Sequence, residues 1–442
     1  MSAIKTAAVI GGGIAGPVTA LALRRAGIEA TVYEAYENTA DGLGGMLMVA
    51  PNGLSALEVV GVDHGLAGQP IHRMVMTDGR GRRMGEFAGL TGLPPSQVMW
   101  RTDLYGAVRE RAAAAGVQTV YGKRLAGAEE TPAGVTAEFT DGTRVTADVL
   151  VGADGIRSTV RQLIDPAAPG PRHTGLLGFG AHSKTEVPQA RPDTMYFAFG
   201  QHAFLGYWPA PGGGTAWFGN LPYEKPLSAE QASSTPSAAW MRILRERFAG
   251  DVPGRDLLRG TGDDELLTFG GLEILPSVPT WHRGRMVLVG DAAHAPSSSS
   301  GQGASLAVES AVQLARCLRD IPDVGSAFAT YEQLRRGRVE KVAAQAAKTN
   351  SQKSMGPVAT RITALLVPLA TRTFLKPEKM FGWTHRYRID WDAPVVPLED
   401  GRTATTGKKP CPFRNRKVRL PIAADLRSAR PGPEHGLCRC SL

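Results

Sequence analysis

The hydrophobic pattern at the amino terminus predicts a strand, a tight turn and a helix. Residues 7–10 form a short apolar run, and apolar side chains then recur at helical spacing from about Pro17 to Ala26, where Gly27 closes the helix. A second strand is predicted at 31–34. This βαβ-type opening of about thirty residues is typical of a parallel sheet with helices on its faces.

The pattern then changes to short alternating runs. Residues 71–87 and 128–149 each contain an Asp-Gly pair, which predicts two hairpins, and an Ala- and Arg-rich helix is predicted between them at 101–115. A long β-rich stretch follows from about 172 to 280. Its middle part is dense in aromatic side chains, namely Tyr196, Phe197, Phe199, Phe204, Tyr207, Trp208, Trp217 and Phe218.

A pattern typical of a parallel strand followed by helices occurs again late in the chain. A strand is predicted at 286–289, a helix at 305–318 and further helices from 325 to about 370. The sequence therefore predicts an α/β protein whose Rossmann-type dinucleotide-binding domain is split in sequence, with an inserted β-sheet substrate domain and C-terminal helices. The expected parts are 1–171 and 281–395 for the split domain, 172–280 for the inserted domain and 396–442 for a tail.

Composition narrows the class of protein. The chain has 442 residues, 43% of them hydrophobic and 21% charged, which is typical of a globular enzyme. No apolar run approaches the roughly 20 residues that a membrane span needs, and residues 1–9 do not resemble a signal peptide, so a cytoplasmic protein is expected. The spacing of the four cysteines suits neither a disulfide framework nor a metal site: they are Cys317, Cys411, Cys438 and Cys440.

The net charge of +9 is concentrated at the carboxyl terminus. Residues 401–442 contain ten Lys or Arg and two Asp or Glu, so the remaining chain is almost neutral. This distribution argues against a nucleic-acid-binding face on the folded part. The tail itself is interpreted as a solvated, poorly ordered extension, or else as a segment that binds an anionic partner.

A glycine motif between the first strand and the first helix indicates a dinucleotide. Gly11, Gly13 and Gly16, together with Ile14 and Ala15, fit the G-x-G-x-x-G pattern. Such a turn lets the backbone approach a pyrophosphate, whose charge is met by free N–H groups and by the positive end of the helix dipole. Glu34, at the end of the second strand, is placed to accept hydrogen bonds from ribose hydroxyls. An acid there suits FAD or NAD, and the motif does not choose between them.

Two further strand-turn-helix motifs follow. Residues 147–161 carry Asp154-Gly155, and residues 285–296 carry Gly290-Asp291 ahead of the glycine-rich run 301–304. A carboxylate at a strand end can bind a polyol hydroxyl, and the N–H groups of a glycine-rich helix start can hold an electron-rich carbonyl.

In this order, the three motifs resemble those of the single-component, group A FAD-dependent aromatic hydroxylases, which include para-hydroxybenzoate hydroxylase-like proteins. The resemblance extends over roughly residues 5–395, including the Trp391–Pro394 ending. Two positions differ, because Ser305 and Ser310 stand where this family often has Asn and Asp.

The resemblance implies a FAD-dependent monooxygenase that uses NAD(P)H as a transient co-substrate. O2 would react to give a C4a-hydroperoxyflavin, which hydroxylates a small aromatic or polyketide-like substrate. Epoxidation and Baeyer–Villiger insertion use the same machinery and stay open. A non-catalytic dinucleotide-binding interaction protein is the alternative from another class. The sequence predicts no metal, no nucleic-acid partner and no stable membrane insertion, and it does not predict the oligomeric state.

The family's cofactor contacts carry over residue by residue. The resemblance implies that the Gly11–Gly16 turn binds pyrophosphate, Glu34 the adenosine ribose and Arg101 the ribityl-phosphate region. It implies that Gly45 lies beside the flavin and that the segment with Asp154 serves both FAD and the transient NAD(P)H. It also implies that Asp291 binds a ribityl hydroxyl, that the loop with Gly301, Gly303 and Ala304 approaches the flavin carbonyl, and that Pro296 borders the oxygen-reacting position.

No catalytic residue is assigned from the sequence. His294 is interpreted as a structural residue of its turn, with an acid–base role as the alternative, and His72 and Arg73 are the other candidates. The aromatic side chains at 196–218 either line a flat substrate pocket or form ordinary core.

Overall fold

The computed structural model describes residues 4–38, 45–62, 66–132, 134–353 and 376–397. Strands in these residues form four sheets. In chain order they are β1 (Thr6–Ile10), β2 (Glu29–Tyr33), β3 (Met46–Val49), β4 (Gln69–Ile71), β5 (Arg73–Asp78), β6 (Arg83–Ala88), β7 (Ser96–Trp100), β8 (Gln118–Val120), β9 (Leu125–Thr131), β10 (Gly134–Phe139), β11 (Arg144–Ala147), β12 (Val149–Gly152), β13 (Arg172–Ser183), β14 (Thr194–Phe199), β15 (Phe204–Pro209), β16 (Thr215–Pro222), β17 (Leu267–Ile274), β18 (His282–Arg283) and β19 (Met286–Leu288).

Helices pack on these sheets. They are α1 (Ala15–Arg25), α2 (Pro51–Val59), α3 (Arg101–Ala114), α4 (Thr159–Ile164), α5 (Ala229–Ser234), α6 (Ser237–Arg247), α7 (Gly254–Arg259), α8 (Gly303–Asp320), α9 (Val324–Lys353) and α10 (Pro377–His385). Short 3₁₀ turns occur at Asp263–Glu265, Gly290–Ala292 and Ser298–Ser300. In the described residues no helix has both the length and the apolar character needed to cross a membrane.

A six-stranded sheet carries the dinucleotide-type fold. Its order is β18-β19-β12-β1-β2-β8, and every pair except β18/β19 is parallel. Because β1, β12 and β19 are neighbours, the loops that follow them leave the same edge of the sheet. The strands come from two separated segments, residues 6–152 and 282–288, which confirms the prediction of an α/β domain split in sequence.

A seven-stranded sheet lies in the middle of the chain. Its order is β17-β13-β16-β15-β14-β5-β6, and the β14/β5 pair is parallel whereas the others are antiparallel. The sheet thus recruits a hairpin from residues 73–88, far away in sequence. Two three-stranded antiparallel sheets, β11-β10-β9 and β3-β7-β4, complete the fold.

Three apolar clusters hold the sheets and helices together. The largest surrounds the six-stranded sheet and includes most of α1 and α8. A second cluster lies between the seven-stranded sheet and helices α6 and α7. A third, smaller one joins the opposite face of that sheet to the β3-β7-β4 sheet. The seven-stranded sheet is therefore covered on both faces. One face packs against α6 and α7, and the other packs against the β3-β7-β4 sheet, which lies next to Gly45 and Arg101 in the sequence.

Most predicted elements are present. The two Asp-Gly hairpins are β5/β6 and β10/β11, and the predicted helices at 17–26, 101–115 and 305–318 correspond to α1, α3 and α8. The sequence did not indicate α5, α6 and α7 within the β-rich stretch, although Trp240, Met241, Leu244 and Phe248 have the spacing of a buried helical face. Parts of two expectations, the helix beyond Lys353 and the basic tail beyond Pro397, lie outside the described residues.

Asp251 joins the tips of two hairpins of the seven-stranded sheet. It is 3% exposed, and its Oδ1 accepts a hydrogen bond from the Gln201 N–H at 3.3 Å. Val252 N–H donates to the Gly79 carbonyl at 2.8 Å. Burial raises the pKa of the Asp251 carboxyl group to about 6, and Asp78 adds to the effect whereas Gln201 and His202 oppose it. Ionising this carboxyl group therefore costs folding free energy.

Asp251→Asn is expected to stabilise the protein in neutral solution. The pKa of Asp251 is raised in the folded state, so its contribution to stability is present below its ordinary value of 3.8 and is lost as the pH rises to about 6. Above pH 6 the variant should gain on the order of 1–3 kcal/mol over wild type. Urea unfolding at pH 4 and pH 8 measures this difference. A gain of the same size at both pH values, or Asp264→Asn at an exposed position giving the same pattern, would contradict the assignment.

Candidate functional site

The turn after β1 uses its glycines for two different reasons. Gly11 N–H donates to the Tyr33 carbonyl at 2.8 Å, and a Cβ on Gly11 would lie 2.5 Å from the Ala153 carbonyl oxygen. A Cβ on Gly16 would lie 1.8 Å from the Gly11 carbonyl oxygen. A Cβ on Gly13, in contrast, would meet no protein atom within 4 Å. Packing within the chain explains Gly11 and Gly16, whereas Gly13 faces open space, as an approaching pyrophosphate would require.

Glu34 supports the same turn from the end of β2. Its Oε2 accepts a hydrogen bond from Gly12 N–H at 2.6 Å, and its Oε1 accepts one from Tyr36 N–H at 2.9 Å. The helix α1 begins directly after this turn, with Ile14 preceding it and Ala15 as its first residue. Each carboxylate oxygen can accept a further hydrogen bond, so Glu34 retains the capacity to bind a ribose hydroxyl.

The second loop is organised by Asp154. Its Oδ1 accepts a hydrogen bond from the Ser158 hydroxyl at 2.5 Å, and its Oδ2 accepts bonds from Thr159 N–H at 2.7 Å and Val160 N–H at 3.1 Å. Burial raises the pKa of the Asp154 carboxyl group, and these hydrogen bonds only partly oppose it. The structure therefore places Asp154 as a cap on α4, which fixes the Gly155 turn.

Arg161 connects the second loop to the third. It is 2% exposed, and its Nη1 donates to the Ala292 carbonyl at 3.0 Å while its Nη2 donates to the Ile156 carbonyl at 2.7 Å. Burial lowers the pKa of this guanidinium group, and Asp154 opposes the shift. One buried side chain thus holds both loops in a fixed relation.

The third loop meets the first. Gly290 has a φ of +59°, and a Cβ on it would lie 2.8 Å from the Ala15 Cβ. Asp291 is exposed, although protein atoms surround the recess in which it lies, and this crowding raises the pKa of its carboxyl group. The charge of Arg101 opposes the increase. A carboxylate that is crowded by protein yet open to solvent suits a residue that lines a ligand-binding cleft.

Arg101 stands at the start of α3 and close to Gly45. Its backbone N–H donates to the Gly45 carbonyl at 3.0 Å, while the Asp103 carboxylate accepts a bond from Trp100 N–H at 3.3 Å. A Cβ on Gly45 would lie 2.6 Å from the Phe269 ring. The predicted flavin-side residues Arg101 and Gly45 therefore lie together, next to an aromatic ring of the seven-stranded sheet that the sequence did not single out.

The start of α8 contributes the last predicted residues. Gly301 has a φ of +59°, and a Cβ on it would lie 3.0 Å from the methyl group of Met48. A Cβ on Gly303 would meet nothing within 4 Å, and Ala304 packs against the main core. Gly303 thus resembles Gly13, since both face space that no protein atom fills. Together with the accessible Asp291, this open space fits an elongated nucleotide bound along the three loops.

His294 and Pro296 border a cavity behind the third loop. The cavity has a volume of about 310 Å³ and is also lined by Trp281 and by residues of α9. His294 Nε2 lies 2.9 Å from the Ser310 hydroxyl, and burial lowers the pKa of this histidine to about 3. A buried, neutral side chain that packs behind its loop favours the structural role over acid–base catalysis. Another cavity of about 330 Å³ lies between α1, α2 and α3, and no residue of the three loops lines it.

A buried charged network fixes α8, α9 and α2 together. Glu309 is fully buried and binds Arg335 at 2.7 Å and Arg338 at 2.8 Å. Asn52 Nδ2 donates to Glu309 Oε1 at 2.7 Å and to Gln302 Oε1 at 2.9 Å. Burial alone would raise the pKa of Glu309, but the two guanidinium groups and Asn52 outweigh it and hold this pKa below its ordinary value. Through Asn52, the network holds Gln302 and thereby fixes the glycine-rich start of α8.

Ser305 and Ser310, the two positions that differ from the family pattern, both form hydrogen bonds with neighbouring residues. Ser305 is buried, and its hydroxyl accepts a hydrogen bond from Ala50 N–H at 3.3 Å. The Ser310 hydroxyl lies between His294 and Arg335, whose Nε donates to it at 3.2 Å. Neither position therefore leaves a gap in the scaffold of the third loop.

Sequence reasoning missed several residues that build the site, namely Arg161, Asn52, Glu309 and Phe269. A charged residue within an otherwise apolar helix face, such as Glu309 in α8, was the available signal, because a buried carboxylate needs a partner. The other acid–base candidates gain no support. Arg73 is engaged in ion pairs with Glu86 at 3.2 Å and Asp193 at 3.9 Å, and His72 is exposed.

Comparison with known proteins identifies the family. The family model of the FAD binding domain matches residues 5–248 and 276–346. A FAD-dependent urate hydroxylase of Klebsiella pneumoniae is 30% identical over 352 residues, which cover 77% of this chain and 88% of that enzyme. The 3-amino-4-hydroxybenzoate 2-monooxygenase PtnB3 of Streptomyces platensis is 33% identical over 354 residues, with 76% and 85% covered.

Solved structures agree with this assignment. The crystal structure of Klebsiella pneumoniae HpxO complexed with FAD and uric acid has a TM-score of 0.76 and 25% identity, covering 87% of this chain and 97% of that one. The fold of a salicylate hydroxylase substrate complex is also similar, with a TM-score of 0.70 at 21% identity, and covers 87% and 96% of the two chains. The chain belongs to the FAD-dependent aromatic hydroxylase family, and it is a FAD-dependent monooxygenase.

Proposed function

We propose that the protein uses NAD(P)H and O2 to hydroxylate a small aromatic or polyketide-like compound. The observation that carries the proposal is the convergence of the three motif loops. Arg161 joins the second loop to the third, and Gly290 of the third loop contacts Ala15 of the first. A cleft of this kind suits one extended FAD molecule, with its adenosine at Glu34 and its ring near Gly45 and Gly303.

The chemistry supplied by bound FAD is transfer of two electrons from NAD(P)H to O2. One oxygen atom enters the substrate and the other leaves as water, so that NAD(P)H, H⁺, O2 and a C–H group give NAD(P)⁺, H2O and a C–OH group. The residues of the chain bind and orient the reactants and exclude water.

Each predicted cofactor contact becomes a proposed role. The N–H groups of the Gly11–Gly16 turn hold the pyrophosphate, Arg101 neutralises phosphate charge, and Asp291 accepts a hydrogen bond from a ribityl hydroxyl. The loop of Gly301, Gly303 and Ala304 holds the ring carbonyl, with Pro296 at its oxygen-reacting side. Because Asp154 is engaged in capping α4, we propose that it acts by positioning its loop toward FAD and NAD(P)H.

Purification with FAD tests the proposal. The protein is expected to be yellow, to oxidise NADH or NADPH slowly alone, and to oxidise it faster with a suitable aromatic compound, whose product carries one oxygen atom from ¹⁸O2. Because the relatives include the aurachin C monooxygenase/isomerase of Stigmatella aurantiaca and a 3-amino-4-hydroxybenzoate 2-monooxygenase, phenols and fused-ring aromatic compounds form a rational first panel. A protein that takes up no FAD, or a product without labelled oxygen, would refute the proposal.

A further inference from the structure

The face of the seven-stranded sheet that looks toward the β3-β7-β4 sheet is built of aromatic and sulfur-containing side chains. Along β14, β15 and β16 the side chains alternate between two faces. Tyr196, Tyr207 and Trp217 pack toward α6 and α7. The opposite set, here termed the aromatic face, consists of Met195, Phe197, Phe204, Trp208 and Phe218.

The aromatic face continues toward the proposed flavin position. A Cβ on Gly206 would lie 2.2 Å from the Phe218 ring, so this ring lies directly on the backbone of β15. Phe269 lies in the same way on β13, where a Cβ on Gly178 or Gly180 would come within 3.3 Å or 3.1 Å of its ring. Phe269 also contacts Gly45, the residue expected beside the flavin. These glycines therefore let rings lie flat along one wall that ends at Gly45, the proposed flavin position.

The opposite wall is apolar as well. Met46 and Met48 of β3 form this wall and pack against the third apolar cluster, as does Met74 of β5, which lies in the same sheet as the aromatic face and beside Met195. All three methionines are only partly buried, as are Phe197, Phe218 and Phe269. Half-buried apolar side chains on two facing walls indicate a cleft that is filled when a ligand is present.

Six of the strands that form the two walls carry no charged side chain, and Glu273 of the neighbouring strand β17 is paired with Arg157. None of the strands β3, β4, β7, β14, β15 and β16 contains Lys, Arg, Asp or Glu. On the neighbouring strand β5, Met74 and Arg73 point to opposite faces, and Arg73 is held by Glu86 and Asp193. A carboxylate placed between these walls would lose its water without gaining an ion-pair partner from these strands.

We propose that the cleft binds a flat, uncharged aromatic substrate and discriminates against its carboxylate analogues. This inference rests on the proposed function and names the class of its substrate. It separates the chain from enzymes such as the aminohydroxybenzoate monooxygenases, whose named substrate carries a carboxylate. Selectivity arises from desolvation. The aromatic ring enters the apolar cleft equally well in the neutral compound and in its carboxylate analogue, but only the carboxylate loses the hydration of a charged group.

Binding to the FAD-loaded protein tests the inference without turnover. The probes are two matched pairs, 2-naphthol with 6-hydroxy-2-naphthoate, and 4-hydroxyquinoline with 4-hydroxyquinoline-2-carboxylate. Titration at pH 7.5, followed by perturbation of the flavin absorbance, gives Kd for each. The neutral member of each pair is expected to bind at least about tenfold more tightly.

Two substitutions at adjacent residues sharpen the test. Met74→Lys places an ammonium group on the cleft side and is expected to shift the preference about tenfold toward the carboxylate member. Arg73→Met removes a charge on the other face and should leave the ratio unchanged. Met48→Lys on the opposite wall serves the same purpose if Met74→Lys does not fold.

Equal or tighter binding of the carboxylates by wild type, or no binding of either neutral probe, would overturn the proposed substrate class. Those results would leave FAD uptake and NAD(P)H oxidation, the tests of the proposed function, unaffected. Failure to bind FAD would instead overturn the proposed function itself.

Discussion

Gly13→Ala is expected to weaken FAD binding about 100-fold, or by about 2.7 kcal/mol, and to leave the apo-protein as stable as wild type. The reason is that a Cβ on Gly13 would meet no protein atom within 4 Å and would project into the space that the pyrophosphate occupies. Fluorescence quenching during FAD titration measures the affinity, and thermal unfolding of the apo-protein measures the stability.

Two other glycines serve as controls for this result. Gly16→Ala is expected to destabilise the apo-protein, since its Cβ would lie 1.8 Å from the Gly11 carbonyl oxygen. Gly106→Ala, within α3 and with nothing within 4 Å of its Cβ, should keep FAD affinity and raise stability by about 0.5–1 kcal/mol. If Gly13→Ala binds FAD as tightly as wild type does, the pyrophosphate does not lie at this turn.

Glu309→Gln is expected to lower the free energy of unfolding by about 3–5 kcal/mol. The substitution keeps the size of the side chain but leaves Arg335, which is fully buried, without its carboxylate partner, and it also breaks the ion pair with Arg338. Urea unfolding of the apo-protein at pH 7 measures the loss. Because the network braces the start of α8, FAD affinity is expected to fall as well.

The pH dependence of stability gives a second check on Glu309. The pKa of its carboxyl group is held below the ordinary value of 4.5, so its stabilising contribution is present above pH 4.5 and is lost as the pH falls below it. Wild type and Glu309→Gln should therefore converge in acid. Glu340→Gln is the matched control, since that partly exposed carboxylate pairs with Arg336 at 3.3 Å and should contribute at most about 1 kcal/mol. Equal losses in the two variants would contradict the buried-network assignment.

Local signals made the six-stranded sheet predictable from the sequence. The apolar runs that become β1 and β2, the glycines between them and the periodicity of α1 and α8 all lie within short windows, where strand and helix periods decide the structure. The three motif loops were predictable as one site for the same reason, because parallel strands place their following loops at one edge.

Long-range pairing was not predictable in this way. Nothing in residues 73–78 indicates that β5 will pair in parallel with β14, more than a hundred residues later. Many apolar strands could form the backbone hydrogen bonds along the edge of β14. The partners of Glu309 and Arg161 depend equally on tertiary packing. The aromatic residues at 196–218 illustrate the limit: alternation shows that they divide between two faces, but only the helices α6 and α7 decide which face is core.

The split of the six-stranded sheet also bears on biosynthesis. The ribosome releases β1 and β2 early, but β19 and the start of α8, which complete the third loop, emerge about 250 residues later. Until then the nascent chain exposes the open edge of β12 and the apolar side of α1, both of which invite wrong pairing. The six-stranded sheet can therefore be completed only after the whole intervening segment has been synthesised.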